Sequence, residues 1–306
     1  MKFSIVEKNN VDPWGRVIYL NNKIVELVIP TQIGPRIVGI NFVGEENVFF
    51  NSKEMNKHFG SMDWFPYGGH RLWHAPEEYP RTLCPDNEPI KIRISEHSIS
   101  LIQNIENLTK IQKIIEISLD TNGNNIFVRH KLINHGCWPV KFAAWGITMM
   151  APGGLVVIPL PPKVEFLEKR QPDYSIVVWP WTNLTDNRFK IRENYLTVEQ
   201  DPQKRTPQKI GLSTKEGWAG YFYKSYLFIK RFKCFKDFAY PDLGSTIEVF
   251  TDQNTLEIES LSPYKTVNPG DSIEHVEEWF IYKDVSFPEN ETEIRRILFD
   301  YATSFL

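Results

Sequence analysis

Short alternating or wholly apolar runs, bounded by Asn, Gly, Pro and Asp, follow one another from the start of the chain to about residue 285. A period of two with turn residues between the runs marks β-strands. Residues 16–20 and 23–29 flank Asn21-Asn22, a pair that tolerates the positive φ of a tight turn, and so predict a first hairpin. The same pattern predicts strands over 36–43, 91–95, 98–103, 110–118, 126–134, 140–150 and 155–159, then over 217–223, 226–232, 246–250, 256–261 and 272–282. So many antiparallel-looking strands imply stacked sheets. One helix is predicted over about 289–305, where Ile294, Ile297, Leu298, Tyr301 and Phe305 recur at helical spacing after Pro288 and Asn290. The proline-rich stretch 159–207, which carries Trp179 and Trp181, is expected as a long functional loop, leaving 1–306 as a single domain.

Composition narrows the class. With 42% hydrophobic, 24% charged and 13% aromatic residues, and no run near ~18 consecutive apolar positions, the 306-residue chain reads as a soluble globular protein with a sizeable core. Its 35 Lys and Arg against 38 Asp and Glu leave a formal charge of −3, which gives no global attraction to a polyanion. Neither nucleic acid nor a membrane is expected as a partner. The first apolar stretch is broken by Glu7 and Lys8 before it could form a secretory signal, and Cys84, Cys137 and Cys234 lie far apart with no CxxC spacing. A reducing, cytoplasmic setting is expected, with no disulfide framework, thiolate metal site or cofactor.

Chemistry concentrates in Trp64-Phe65-Pro66-Tyr67-Gly68-Gly69-His70-Arg71-Leu72-Trp73-His74-Ala75-Pro76-Glu77-Glu78-Tyr79-Pro80-Arg81. Flat aromatics offer faces to sugar C–H groups, Arg and His donate to hydroxyls, and the paired glycines would let the backbone approach a ligand. His70 and His74, four apart, would share a helix face and with Glu77 could ligate a metal. Pro66 and Pro76 argue against the helix and no HExxH pattern is present, so hydrogen bonding is the preferred role. In the run 256–263, alternation puts Leu256 and Ile258 on one face and Glu257 and Glu259 on the other, with Asp242 and Glu248 upstream. Same-face carboxylates repel unless a cation, a proton or solvent relieves them, so a solvated face and an active site both fit. A GxSxG elbow, a P-loop and a dinucleotide fingerprint are absent.

Phe65-Pro66-Tyr67-Gly68-Gly69-His70-Arg71-Leu72-Trp73, then Asn134-His135-Gly136-Cys137-Trp138-Pro139 leading to Ala144-Trp145-Gly146, then Tyr240-Pro241-Asp242, then 256–263 running to Pro269-Gly270, occur in this order. The series resembles the galactose mutarotase-like superfamily, which includes aldose 1-epimerases and hexose-6-phosphate epimerases. That resemblance implies a β-supersandwich, here with a short C-terminal helix, whose concave sheet face holds a monosaccharide or oligosaccharide. It also implies a glutamate that takes the anomeric proton and a histidine that protonates the ring oxygen. Glu259 matches the glutamate, with Glu257 as its register-shifted rival; His70 and Arg71 resemble the family's histidine and sugar-binding arginine. The family's second histidine has no counterpart, since Ala143-Ala144-Trp145-Gly146-Ile147-Thr148 occupies its place.

The leading reading is therefore an aldose 1-epimerase-like isomerase with Glu259 as base and His70 as acid. Arg71, Trp73, Trp145 and Asp242 would shape its site, and Arg36, Glu257, His74 and Glu77 would lie within reach of the sugar. A catalytically silent sugar-binding protein is one alternative. A glycoside hydrolase or lyase on the same fold, using Asp242 and Glu259, is the other.

Overall fold

The computed structural model describes residues 3–52 and 58–302. Its strands are antiparallel and fall into three sheets, of ten, eight and four strands. The eight-stranded sheet carries the site. Across it lie Ile176–Val178, Gln208–Leu212, Ile247–Thr251, Leu256–Leu261, Val140–Met150, His70–Ala75 and Arg36–Ile37, with Lys265–Val267 paired to one end of Val140–Met150. The ten-stranded sheet, which includes Ile111–Leu119, Asn125–Asn134, Tyr226–Phe232 and Ser272–Tyr282, packs against it.

Period-two patterning decides which side chains meet between the sheets. In Ile111–Leu119 the odd positions Ile111, Ile115, Ile117 and Leu119 are buried, and in Leu256–Leu261 the core takes Leu256 and Ile258. These residues, with Val128, Leu132, Ile210, Val249 and Trp279, belong to the largest apolar cluster. The helix Glu291–Ala302 covers the far side of the ten-stranded sheet. There Ile294, Ile297 and Leu298 pack with Leu155, Val157, Trp218 and Leu227. Phe305, the last residue of its predicted stripe, lies outside the described residues.

Two expectations need revision. The stretch 159–207 is not a plain loop: it contributes Ile176–Val178 to the edge of the eight-stranded sheet and Phe189–Ile191 and Tyr195–Glu199 to the edge of the ten-stranded one. Edge strands are short and tolerate nearby proline, which is why their pattern is faint in the sequence. The paired glycines Gly68 and Gly69, both at positive φ, do not lie open to a ligand either. A Cβ on Gly68 would strike the carbonyl of Phe50, and one on Gly69 that of Ile37, so they permit a close crossing of the protein's own backbone.

Candidate functional site

The eight-stranded sheet has two polar faces, and pairing registers define both. On the face turned away from the core, Arg71 pairs across to Ile147, Ile147 to Glu259 and Glu259 to Glu248. One row along, Met149 pairs to Glu257, Glu257 to Phe250 and Phe250 to Lys209. In the opposite direction Trp73 pairs to Trp145. These rows floor a cavity of about 930 Å³, walled by Trp64 and Glu77 from one side and by Trp179, Trp181 and Asp252 from the other.

Each charge on this floor is held by an opposite one. Arg71 reaches Glu257 with two nitrogens, at 3.2 and 3.4 Å, and its guanidinium lies 4.5 Å from the Trp73 ring. Lys209 stands 2.8 Å from both Glu248 and Glu259, with the Trp145 and Trp179 rings each 4.7 Å away. Glu259 receives Lys209 and the Trp145 indole N–H, at 2.8 and 2.9 Å, on the same oxygen, Oε2. Burial pushes the Glu257 carboxyl above the ordinary carboxylate range against the opposing pull of Arg71, and burial raises Glu248 further. Burial alone would weaken the Lys209 ammonium, but the two carboxylates beside it more than reverse this. Among the buried polar atoms here without a hydrogen-bond partner are Trp64 Nε1 and Arg71 Nε on the cavity lining and Glu248 Oε1 beside it.

Of the residues expected at the site, Glu259, Glu257, Arg71, Trp73, Trp145 and Glu77 line the cavity. Four do not. His70, expected as the acid, is one position out of phase with Arg71 and points between the sheets, where it is fully buried and bonded to Thr148 and His130. An imidazole there cannot protonate a ligand in the cavity. His74 is buried on the same inner side against Arg81 and Glu106. Arg36 is buried too, with Asp86 at 2.7 Å and the Gly68 carbonyl at 3.2 Å. Asp242 opens a short 3-10 turn beyond the cavity edge and acts on Glu248 only through its charge.

The inner face gathers a second constellation that sequence reading did not foresee. Ligand atoms of His70, His130 and Glu277 lie within 4.8 Å of one another, the spacing of a metal site. The hydrogen bonds close without one. His130 Nδ1 faces the His275 carbonyl at 3.0 Å and so carries the proton; its Nε2 accepts from His70 Nε2, at 2.6 Å; and His70 Nδ1 accepts from the Thr148 hydroxyl, at 2.8 Å. Glu277 takes Ser260 and Lys230 on one oxygen and the Trp279 indole on the other. Lys230 spends its remaining donors on the carbonyls of Gly146 and Ile258. Burial holds His70, His130 and His275 neutral, with His275 pushed down to about 3. The donor set thus fits a sealed, charge-balanced network better than an ion.

No family model and no curated protein matches the chain at significance. Solved structures do. A candidate aldose 1-epimerase from Klebsiella pneumoniae superposes with a TM-score of 0.59 over 98% of this chain and 87% of its own, at 10% identity. A galactose mutarotase-like protein from Lactobacillus casei gives 0.56 over 87% of this chain and 100% of its own, at 11% identity. The fold is that of the galactose mutarotase-like proteins. A TPR-domain-containing protein from Parabacteroides distasonis also superposes, at 0.58 and 14% identity; 94% of this chain matches 56% of that one, so this chain spans just over half its length. At such identities a mutarotase-like superposition establishes architecture, and the chemistry has to come from the side chains on the cavity floor. No helix among the described residues is long and apolar enough to cross a membrane.

Lys209 and Phe250 were missed as site residues. Lys209 is a lone cation alternating with Ile210 and Leu212, the pattern of one polar residue inserted in a buried strand. That signal was readable; its pairing with Glu259 was not, because the two sit 50 positions apart on strands that do not pair directly.

Proposed function

We propose that the cavity binds a carbohydrate and that Glu259 and Glu257 move protons at its anomeric centre, the reaction of an aldose 1-epimerase. The observation that carries this reading is the pair itself: two carboxylates on successive cavity-facing positions of one strand, each with its own cation, between tryptophan walls. Successive same-face positions lie about 7 Å apart, close enough to address two atoms of one sugar ring. Both contacts to Glu259 fall on Oε2, so Oε1 is the oxygen that takes the proton of the anomeric hydroxyl. The C1–O5 bond then breaks to give the open aldehyde. Glu257, whose carboxyl pKa is raised by burial against the opposing pull of Arg71, delivers a proton to the ring oxygen. Rotation about C1–C2 and reclosure in the reverse sense produce the other anomer. In this chain Glu257 performs the step that the resemblance assigns to a histidine.

NMR exchange between α and β anomers of glucose and galactose tests the proposal. Wild type should exceed the buffer rate, and Glu259→Gln and Glu257→Gln should each remove about 100-fold or more of the excess. A wild-type rate equal to buffer would overturn the reaction. A second reading, sugar recognition without turnover, is favoured by one observation: among the described residues no imidazole lines the cavity. It predicts saturable binding with no acceleration of exchange.

A further inference from the structure

We infer that the ligand of this cavity is a neutral oligosaccharide of at least two rings, with its reducing end over Glu257 and Glu259 and its next ring against Trp181 and Phe250. The inference rests on the carbohydrate reading above and names the substrate class for it. Size is the first support. Pockets that enclose a drug-sized molecule run ~300–1,000 Å³, and this one, at about 930 Å³, is near the top of that range. A single pyranose would leave most of it filled with water.

The aromatic residues form two separate platforms. Trp64, Trp73 and Trp145 make a chain of edge contacts, with centroids 5.4 and 5.5 Å apart, beside the Arg71 end of the floor. Trp181 meets Phe250 edge-on at 6.2 Å on the other side. Phe250 shares a row with Met149, which is four residues from Trp145 and hence ~13 Å further along the strand direction. The strand positions that carry the two platforms are thus further apart than one pyranose ring is wide. Trp181 is also 44% exposed, an apolar surface held out at the cavity edge by the 159–207 excursion with no core to fill.

Charge supplies the word neutral. Among the described residues the only cations lining the cavity are Arg71 and Lys209, and both are already matched, by Glu257 and by Glu248 with Glu259. The remaining ionisable lining residues, Glu77 and Asp252, are acids. Arg36 and Arg81, the other guanidiniums near this segment, are turned to Asp86 and to His74. Among the described residues a phosphate or uronate would find no cation without a carboxylate partner and would face excess negative charge.

Calorimetric titration decides it. The probes are glucose, galactose, maltose, cellobiose, lactose, glucose 6-phosphate and glucuronate, each against wild type and Trp181→Ala. At least one disaccharide should bind wild type about tenfold more tightly than the better hexose. That ratio should fall towards one in Trp181→Ala, with the hexose titration of the same sample reporting a folded floor. Glucose 6-phosphate and glucuronate should bind more weakly than glucose. Hexoses binding as tightly as every disaccharide, a ratio that survives Trp181→Ala, or a preference for the phosphate or the uronate would each overturn the inference and leave the carbohydrate reading standing. Absence of binding by all seven sugars would end both.

Discussion

The two faces of the eight-stranded sheet carry nearly the same chemical inventory and use it oppositely. Both hold glutamates beside a lysine, and both put an indole N–H on a glutamate oxygen: Trp279 on Glu277 inside, Trp145 on Glu259 outside. Inside, the imidazoles of His70, His130 and His275 are linked through Ser260 to Glu277 and Lys230 in a buried layer. Outside, Arg71 Nε and Trp64 Nε1 are left unmatched on residues that line a large cavity. Buried polar groups normally find partners, so unmatched donors that border an open cavity, as Arg71 Nε and Trp64 Nε1 do, mark the face arranged for something else to complete. Residue type alone does not separate a structural cluster from a working one; access of unsatisfied groups to a cavity does.

The largest expected break in this contrast is Glu277→Ala. It leaves the Lys230 ammonium buried without its counter-charge, a change that costs about 3–5 kcal/mol when a buried pair is broken. Glu257→Gln, which leaves Arg71 an amide oxygen to bond, should cost about 1 kcal/mol. Denaturant unfolding of both variants checks the ranking, and equal losses would erase the distinction between the faces.

Acidification comes next. The inner histidines are held neutral in the native protein but titrate near 6.5 when unfolded, so below that pH the unfolded chain binds protons the native one refuses. Stability therefore falls as pH drops from about 6.5, by up to ~1.4 kcal/mol per unit for each histidine. Glu257 and Glu248 act in the opposite direction. Their raised pKa values contribute stability that is complete below ~4.5, the unfolded value, and is lost as pH climbs through the native ones. Thermal melts from pH 7.5 to 5 should show the inner face winning; a melting temperature that holds constant or rises towards pH 5 would contradict this.

A smaller effect than that of Glu277→Ala is expected at Gly146, where an added Cβ would meet Glu277 Oε1 from the neighbouring sheet. Gly146→Ala should lose about 1–3 kcal/mol through overpacking. If Glu277 and its network simply shift, the loss will be near zero and the inner face is softer than its hydrogen bonds imply.

Much of this architecture is legible along the chain. Strands at Val140–Met150, Tyr226–Phe232, Leu256–Leu261 and Ser272–Tyr282 coincide with their expected ranges, because long runs end on turn residues. The strand His70–Ala75 was not seen. Both of its faces are buried and both carry polar residues, so His-Arg-Leu-Trp-His-Ala has no contrast for a period of two to reveal. The same feature misplaced the acid. His70 and Arg71 are neighbours in sequence, but in a strand neighbours face opposite ways, and reading them as a pair put an imidazole in the cavity that belongs between the sheets. Glu257 and Glu259 were readable as a same-face pair because apolar residues alternate with them. Their counter-ions were not, since Arg71 and Lys209 arrive from strands far away in sequence.

Lys209, shared between Glu248 and Glu259, makes part of the floor an all-or-nothing unit. Replacing that one cation exposes two mutually repelling acids, whereas losing the cation together with Glu248 removes that repulsion and leaves Glu259 with the Trp145 indole alone. Neutral drift at these positions would therefore have to proceed by paired replacement.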